Sequence, residues 1–189
     1  MRIHKKLLIV LQFDGLLEDM DLRKYYELRI DVIARCIIAT FSYKIPQIQT
    51  KLCIIDRDEK CLLIEENDLV DKCIRNEIAT AEVLINLARC KGTISFDDIC
   101  YELSSKGYQT FVLDEKGSHY MKLLNDILSK KKIAVFIGGY RGFDHRLLLK
   151  ILKLPGAKRL SLGAVPYLSS MCILIFKYIL LRGAQCLGS

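Results

Sequence analysis

The chain has 189 residues, of which 51% are hydrophobic and 27% charged, and its formal net charge is +7. This composition is typical of a globular protein and excludes an intrinsically disordered chain. The length is sufficient to bury a core, and we expect a single domain over residues 1–189. The excess of 29 Lys and Arg over 22 Asp and Glu suits a polyanionic partner, although many basic proteins bind no nucleic acid.

The eight cysteines do not form a recognisable disulfide or metal-binding pattern. There is no C-x-x-C pair and the three histidines lie far apart, so we expect no metal site. Cys36, Cys53, Cys100 and Cys172 lie in apolar runs, where cysteine behaves as a small hydrophobic residue. The first residues contain only Leu7 to Leu11 as an unbroken apolar run, without a signal-peptide cleavage site, which predicts a cytoplasmic protein.

The segment PYLSSMCILIFKYILL, residues 166–181, is strongly apolar. It is shorter than the roughly 20 residues that a membrane-spanning helix needs, and it contains Lys177. We therefore expect no membrane association and interpret the segment as a buried helix or a subunit interface.

The N-terminal half contains a mixture of predicted strands and helices. A buried strand is predicted at residues 5–13, followed by a polar loop at 14–23. Further along we predict a helix at 25–43 that Pro46 ends, a β-hairpin at 51–66, helices at 67–75 and 77–90, and a helix that ends at Gly107. Ser95 and Asp98 have the spacing of a capping arrangement for that last helix.

The C-terminal half alternates regularly between short strands and helices. We predict strands at 109–114, 132–139 and 158–162, and helices at 120–129 and 145–153 before a final apolar helix. This alternation favours a parallel sheet with helices on its faces. The three strands end in glycine-containing loops, which would lie side by side at one edge of the sheet, where open α/β sheets bind ligands.

The stretch VFIGGYRGFDHR, residues 135–146, has three glycines, at 138, 139 and 142, surrounded by Tyr140, Arg141 and Arg146. Glycine allows close approach of a ligand to the backbone, but a simple tight turn is the alternative reading. If a ligand binds here, we expect Gly138→Val to block it with little effect on the sheet. Neither a dinucleotide-binding G-x-G-x-x-G nor a phosphate-binding G-K-[ST] motif occurs.

Three segments resemble the SPOUT class of RNA methyltransferases, whose C-terminal segment forms a trefoil knot. RIDVIARC at 29–36 is similar to the R-x-D-x-x-x-R-C stretch of the archaeal tRNA pseudouridine N1-methyltransferases, the TrmY family. FVLDEKGSHY at 111–120 resembles a cofactor loop, and its E-K-G is closest to the ribosomal-RNA pseudouridine methyltransferases. Residues 159–181 align with the last strand, loop and helix of the class, except that the final loop, with Pro166, is less polar than in the tRNA family.

This resemblance implies a SPOUT-like α/β fold with a parallel sheet, a knotted part at about residues 108–182, and S-adenosylmethionine as cofactor. It also implies that the cofactor is held mainly by backbone groups and apolar faces. The cofactor-binding residues that it implies are Leu113, Gly117, Ile137, Gly138, Gly142, Leu160, Leu162 and Cys172. The resemblance also implies Cys172, near the cofactor, as a catalytic-site residue without a covalent role, a buried core cysteine being the alternative.

The implied reaction is methylation of N1 of a pseudouridine, with tRNA favoured over ribosomal RNA. Asp31 lies four residues before Arg35, the spacing of an ion pair on a helix, and we expect Asp31 to orient the catalytic site. Arg29, Arg35, Arg141 and Arg146 are the expected RNA-binding residues, a solvated helix face being the alternative for the first two. Ribosomal RNA as substrate and a non-catalytic RNA-binding protein of this fold remain open.

Two further expectations concern proton transfer and assembly. Asp144 or His145 is a candidate proton acceptor, although each more often caps the helix that follows. The final helix carries an apolar stripe at three- and four-residue steps, and a homodimer through this helix is expected, the alternative being a monomer whose N-terminal helices cover its second face. The stripe consists of Met171, Leu174, Ile175, Tyr178 and Leu181.

Overall fold

The computed structural model describes residues 5–45, 47–69 and 76–186. Seven strands form one sheet: β1 (Lys5–Gln12), β2 (Ile48–Ile55), β3 (Lys60–Ile64), β4 (Ile94–Ser95), β5 (Gln109–His119), β6 (Lys132–Ile137) and β7 (Lys158–Ser161). Six α-helices accompany them: α1 (Ile30–Phe41), α2 (Glu77–Cys90), α3 (Phe96–Ser105), α4 (Leu124–Ser129), α5 (His145–Leu152) and α6 (Ser169–Cys186). Of the helices in these ranges, none is long and apolar enough to cross a membrane.

The strands are arranged in the order β4-β3-β2-β1-β6-β5-β7. The five strands from β2 to β7 in this order pair in parallel, as predicted. The β-hairpin predicted at 51–66 is confirmed at one edge of the sheet, where β3 returns antiparallel to β2, and the short β4 pairs antiparallel with β3. A tight turn at residues 56–59 causes this reversal, since such a turn connects neighbouring strands only in the antiparallel direction.

Helices cover both faces of the sheet. One core contains buried side chains of α1, α2, α4 and α6, and the other those of α3 and α5. Phe111 of β5 and Phe136 of β6 are fully buried, which is expected for central strands that are covered on both sides.

Several element boundaries differ from the predicted ones for local reasons. Helix α1 begins at Ile30 rather than at residue 25, because Arg29 has a left-handed backbone with φ of 55° that cannot continue a right-handed helix. Strand β5 continues beyond residue 114 through an irregularity and pairs Ser118 with Leu160 of β7. Residues 66–68 form a short 3-10 helix, and most of the helix predicted at 67–75, like Pro46, lies outside the described residues.

The predicted cap of α3 is confirmed. The Ser95 side chain accepts a hydrogen bond from the backbone N–H of Asp98, whose carboxylate accepts one from the Ser95 N–H. Gly107 follows the helix with φ of +67°. The Ser95–Asp98 spacing thus predicted the start of the helix, and Gly107 predicted its end.

Helices α1 and α6 are joined by a buried lysine. The Lys177 ammonium donates hydrogen bonds to the backbone carbonyls of Thr40, at 2.5 Å, and Ala39, at 3.5 Å. These carbonyls lie in the last turn of α1, where cations complement the helix dipole. Burial lowers the pKa of Lys177 to about 8.

Candidate cofactor and RNA site

A cavity of about 350 Å³ opens at the carboxyl ends of β5, β6 and β7. Its walls come from the three strand-end loops, at residues 113–116, 137–143 and 160–167, and from the start of α6. All the predicted cofactor-binding residues line it except Gly117, which lies beside it. Those in the lining are Leu113, Ile137, Gly138, Gly142, Leu160, Leu162 and Cys172.

Gly117 allows the β5 loop to pass close to β7. A Cβ atom at this position would lie 2.6 Å from the backbone nitrogen of Leu160 and 2.7 Å from the carbonyl carbon of Arg159. No side chain fits at these distances without moving the backbone of β7. Because Gly117 has no side chain, the β5 loop lies directly against β7 and forms one wall of the cavity.

The glycines after β6 form a tight turn, the alternative that the sequence left open. The Gly142 N–H donates to the Gly139 carbonyl at 3.0 Å, and Gly142 has φ of +86°, which favours glycine. A Cβ atom at Gly138 would lie 2.7 Å from the carbonyl carbon of Gly142. A valine at position 138 would therefore displace the turn itself, so a loss of cofactor affinity in Gly138→Val would not report on the ligand contact alone.

Two serines fix the cavity walls, and the sequence analysis missed both. The Ser169 hydroxyl, at the start of α6, donates to the Gly138 carbonyl at 3.0 Å. The Ser161 hydroxyl, at the end of β7, donates to the Gly163 carbonyl at 2.8 Å. Both serines are buried. The sequence indicates this role only through their positions, since Ser161 ends an apolar strand and Ser169 begins an apolar helix.

Cys172 lies in the cavity wall as an uncharged thiol. Burial raises its pKa to about 11, and its sulfur contacts the Tyr167 carbonyl at 3.8 Å. A thiol with this pKa is not a nucleophile at neutral pH. Asp114 also lines the cavity, and its carboxylate lies 3.1 Å from the Arg159 guanidinium.

Asp31 is a buried carboxylate held by two arginines. Its oxygens accept hydrogen bonds from Arg29 Nε at 3.1 Å and from Arg35 at 2.7 Å, which confirms the predicted ion pair. Burial by itself raises the pKa of Asp31, but the hydrogen bonds and charges of Arg29 and Arg35 outweigh it and hold the pKa below its ordinary value. Arg35 also lies 3.7 Å from Glu77 of α2. Asp31 thus orients two cations.

Tyr140 brings two of the predicted RNA-binding arginines together. The Arg29 guanidinium lies 5.0 Å from the centre of the Tyr140 ring, and that of Arg141 lies 5.1 Å from it. Arg141 Nε also donates to the Tyr140 hydroxyl at 2.6 Å. We call Arg29, Tyr140 and Arg141 the arginine–tyrosine stack. It adjoins the cavity, because Tyr140 directly follows Gly139 in its wall.

Arg146 and Asp144 lie on the other side of the turn. Arg146 lines a second cavity, of about 600 Å³, together with Arg57 and Arg141. The Asp144 carboxylate accepts hydrogen bonds from the N–H groups of Arg146 and Leu147, so it caps α5. Of the four predicted RNA-binding arginines, the structure therefore joins Arg29 with Arg141 through Tyr140 and with Arg35 through Asp31, and Arg146 shares the second cavity with Arg141.

Solved structures share this fold. Nep1 from Archaeoglobus fulgidus, bound to S-adenosylhomocysteine, is similar over 96% of this chain and 99% of that chain, with a TM-score of 0.66 and 13% identity. A probable methylase family protein from Haemophilus influenzae Rd KW20 is similar over 96% of this chain and 67% of that chain, with a TM-score of 0.51 and 15% identity. No protein-family model and no curated protein matches the sequence.

These similarities confirm the SPOUT-like α/β fold that the sequence resemblance implied. At such low identity they concern the fold alone. The trefoil knot stays a prediction. What the geometry itself contributes is a cavity with mostly backbone and apolar walls, next to a pair of arginines that are oriented by a buried aspartate and a tyrosine.

Proposed function

We propose that the cavity at the ends of β5, β6 and β7 binds S-adenosylmethionine and that the protein is an RNA methyltransferase. The observation that carries the proposal is the convergence of three strand-end loops, with glycine backbone in the wall, into one cavity of about 350 Å³. This volume is within the usual range for small-ligand sites, about 300–1,000 Å³. The shared fold with a protein bound to S-adenosylhomocysteine supports the same ligand.

The lining suits a nucleoside with a charged tail. Half-buried Leu113 and Leu162 offer apolar faces to an adenine ring, and the loop backbone offers N–H and carbonyl groups to its edge. Asp114 and Glu115 lie in the lining and favour a cationic group. When bound, S-adenosylmethionine supplies an electrophilic methyl group. The uncharged Cys172 thiol contributes an apolar surface and does not compete for that methyl group.

We propose N1 of a pseudouridine in tRNA as the methyl acceptor. The R-x-D segment that resembles the tRNA family forms the Arg29–Asp31 pair, and this pair adjoins the cavity through Tyr140. Guanidinium groups bind phosphates and base edges by their planar forks, so the arginine–tyrosine stack and Arg35 would hold the nucleotide while Asp31 fixes their direction. Positioning of this kind carries much of the rate in group transfer.

Ribosomal RNA is the second candidate substrate. The E-K-G segment that resembles the ribosomal family is the loop in which Gly117 packs against β7, so this resemblance falls on the cavity wall as well. We also propose a homodimer through α6, because the apolar stripe of this helix lies on the surface of the single chain. Met171, Tyr178 and Leu181 are exposed, and Leu174 and Ile175 are partly so.

The test is methyl transfer to RNA that contains pseudouridine. Transcripts of tRNA and of small-subunit ribosomal RNA are made with pseudouridine triphosphate, and matched transcripts with uridine serve as controls. With labelled S-adenosylmethionine we expect label only in pseudouridine transcripts, most of it in tRNA, and N1-methylpseudouridine in the nucleoside digest by mass spectrometry. Equal labelling of the uridine transcripts contradicts the pseudouridine assignment. Absence of S-adenosylmethionine binding leaves a non-catalytic RNA-binding protein.

A further inference from the structure

Methylation of a ring nitrogen that carries a proton requires a group that accepts this proton, and the carboxylates near the site differ in whether they are free to do so. Both oxygens of Asp31 accept from arginines, Asp144 caps α5, and Asp114 pairs with Arg159. Each of these carboxylates already has partners that favour its charged form, and Glu115, the other carboxylate of the cavity lining, is exposed to solvent. The proton acceptors considered from the sequence, Asp144 and His145, do not fit, since Asp144 is a helix cap and His145 is exposed and lies outside the cavity linings.

Asp14 is different. It lies two residues after the end of β1, its Oδ1 accepts a long hydrogen bond from the Gln12 amide, at 3.4 Å, and the backbone N–H of Arg141 also faces the carboxylate. Its Oδ2 is buried and has no hydrogen-bond partner, one of two such side-chain atoms among the described residues, the other being the Tyr25 hydroxyl. A buried polar atom without a partner destabilises the folded state, so its retention indicates a role other than folding.

The position of Asp14 links the cofactor cavity to the arginine–tyrosine stack. A Cβ atom at Gly139 would lie 3.2 Å from both carboxylate oxygens of Asp14 and 3.0 Å from the Gln12 carbonyl. Glycine at 139 therefore allows the carboxylate to lie against the turn whose other side forms the cavity wall. Asp14, Arg29 and Tyr140 also line one shallow depression on the stack side.

The charge environment of Asp14 suits a proton acceptor. Burial raises its pKa above the ordinary value, and the charge and backbone N–H of Arg141 lower it by less. Arg29, at the start of α1, also faces it. The other charged groups that line the second cavity with it are Asp56, Arg57, Glu59, Asp144 and Arg146. A carboxylate with a raised pKa accepts a proton more readily in the transition state, because its basicity is closer to that of the group that loses the proton.

We propose that Asp14 is the catalytic residue that accepts the N1 proton of the target base. This inference rests on the proposed function. As the bond between N1 and the methyl carbon forms, the bond between that carbon and sulfur breaks and its electron pair stays on sulfur. The N1 proton passes to the half-buried Asp14 carboxylate and then to solvent. Arg29 and Arg141, each of which lines a cavity together with Asp14, hold the nucleotide.

The test compares Asp14→Asn with Asp14→Glu and with Asp19→Asn, an exposed aspartate of the same loop. In single-turnover methyl transfer to the pseudouridine tRNA transcript, we expect Asp14→Asn to be slower by about 10²–10⁴-fold, the usual contribution of a general base. Asp14→Glu should recover part of this loss, and Asp19→Asn should match the unchanged protein. The rate of the unchanged protein should rise with pH to a plateau, and that of Asp14→Asn should lack this step.

Two readouts do not depend on activity. Because Asp14 Oδ2 has no partner, we expect the melting temperature of Asp14→Asn to equal or exceed that of the unchanged protein. Carboxyl-carbon NMR should show Asp14 titrating above an ordinary aspartate, and the affinity for S-adenosylhomocysteine should be unchanged in the variant. A folded Asp14→Asn with the unchanged rate and pH profile overturns the assignment alone. An unchanged protein that methylates no pseudouridine transcript overturns the proposed function and the role of Asp14 with it.

Discussion

Arg29 has an unfavourable backbone conformation at the centre of the candidate RNA site. Its φ of 55° lies in the left-handed region, which costs roughly 1–3 kcal/mol for a residue with a side chain. The conformation ends the preceding turn and places the guanidinium between the Asp31 carboxylate and the Tyr140 ring. Strain of this kind is concentrated at functional sites. The strained backbone of Arg29 thus lowers the stability of the fold locally, and other interactions of the fold compensate for this loss.

Removal of Arg29 should weaken RNA binding and its dependence on salt. If the Arg29 guanidinium contacts a phosphate, Arg29→Ala should reduce the slope of log affinity against log salt by about one. Arg35→Ala should have a smaller effect, because Arg35 is neutralised by both Asp31 and Glu77. The measurement is tRNA binding by fluorescence anisotropy over a series of salt concentrations.

The matched control for Arg29 is Arg23→Ala. Arg23 also pairs with one nearby aspartate, Asp21, but its side chain is 90% exposed and lies away from the cavity lining. We expect its slope to equal that of the unchanged protein. If Arg29→Ala and Arg23→Ala give the same slope as the unchanged protein, Arg29 does not contact the RNA backbone and the helix is only a scaffold.

At the scale of elements, α6 combines three roles. Its first turn closes the cavity through Ser169, its middle supplies Lys177 to the end of α1, and its buried side packs Ile173 and Phe176 into the core. The side that carries Tyr178, which is 59% exposed, is left uncovered by the part of the chain that the structure describes. A helix that is apolar on more than one side is expected to be buried on more than one side. This argument leads to the proposed dimer.

A charge in the stripe of α6 should dissociate this dimer. An unpaired carboxylate at a buried interface costs several kcal/mol, roughly 3–5 kcal/mol when a charge is left uncompensated, so Tyr178→Glu should convert the dimer to a monomer. Tyr101→Glu on α3 is the matched control, because Tyr101 is equally aromatic and 76% exposed. Sedimentation at micromolar concentration should show twice 21.7 kDa for the unchanged protein and for Tyr101→Glu. A monomeric unchanged protein would refute the interface.

At the scale of the whole molecule, the sequence predicted those features that depend on local spacing. The regular strand–helix alternation predicted the parallel part of the sheet, and the Ser95–Asp98 spacing predicted the start of α3. The four-residue spacing of Asp31 and Arg35 predicted their ion pair. We propose that the chain forms a single domain, and the two cores on either side of the one sheet are consistent with this.

The features that were missed depend on contacts between distant parts of the chain. Asp14 gained its candidate role only because the Gly139 turn lies against it, and Tyr140 became part of the site only because α1 places Arg29 over its ring. Nothing in the residues next to Asp14 or Tyr140 indicates these partners. Gly138→Val is unsuitable as a test for the same reason: its valine would clash with the backbone of Gly142, a contact that the sequence does not reveal.

The central claim is that the cavity between the three strand-end loops binds the cofactor, and calorimetric titration with S-adenosylhomocysteine tests it most directly. Half-buried Leu162 lines the cavity, so the longer side chain of Leu162→Arg should fill it and lower the affinity by about tenfold or more. Leu149→Arg, the same substitution at an exposed position of α5 outside the lining, should bind like the unchanged protein. We expect one site per chain in the unchanged protein. No binding to the unchanged protein, or equal affinity in a folded Leu162→Arg, would contradict the claim.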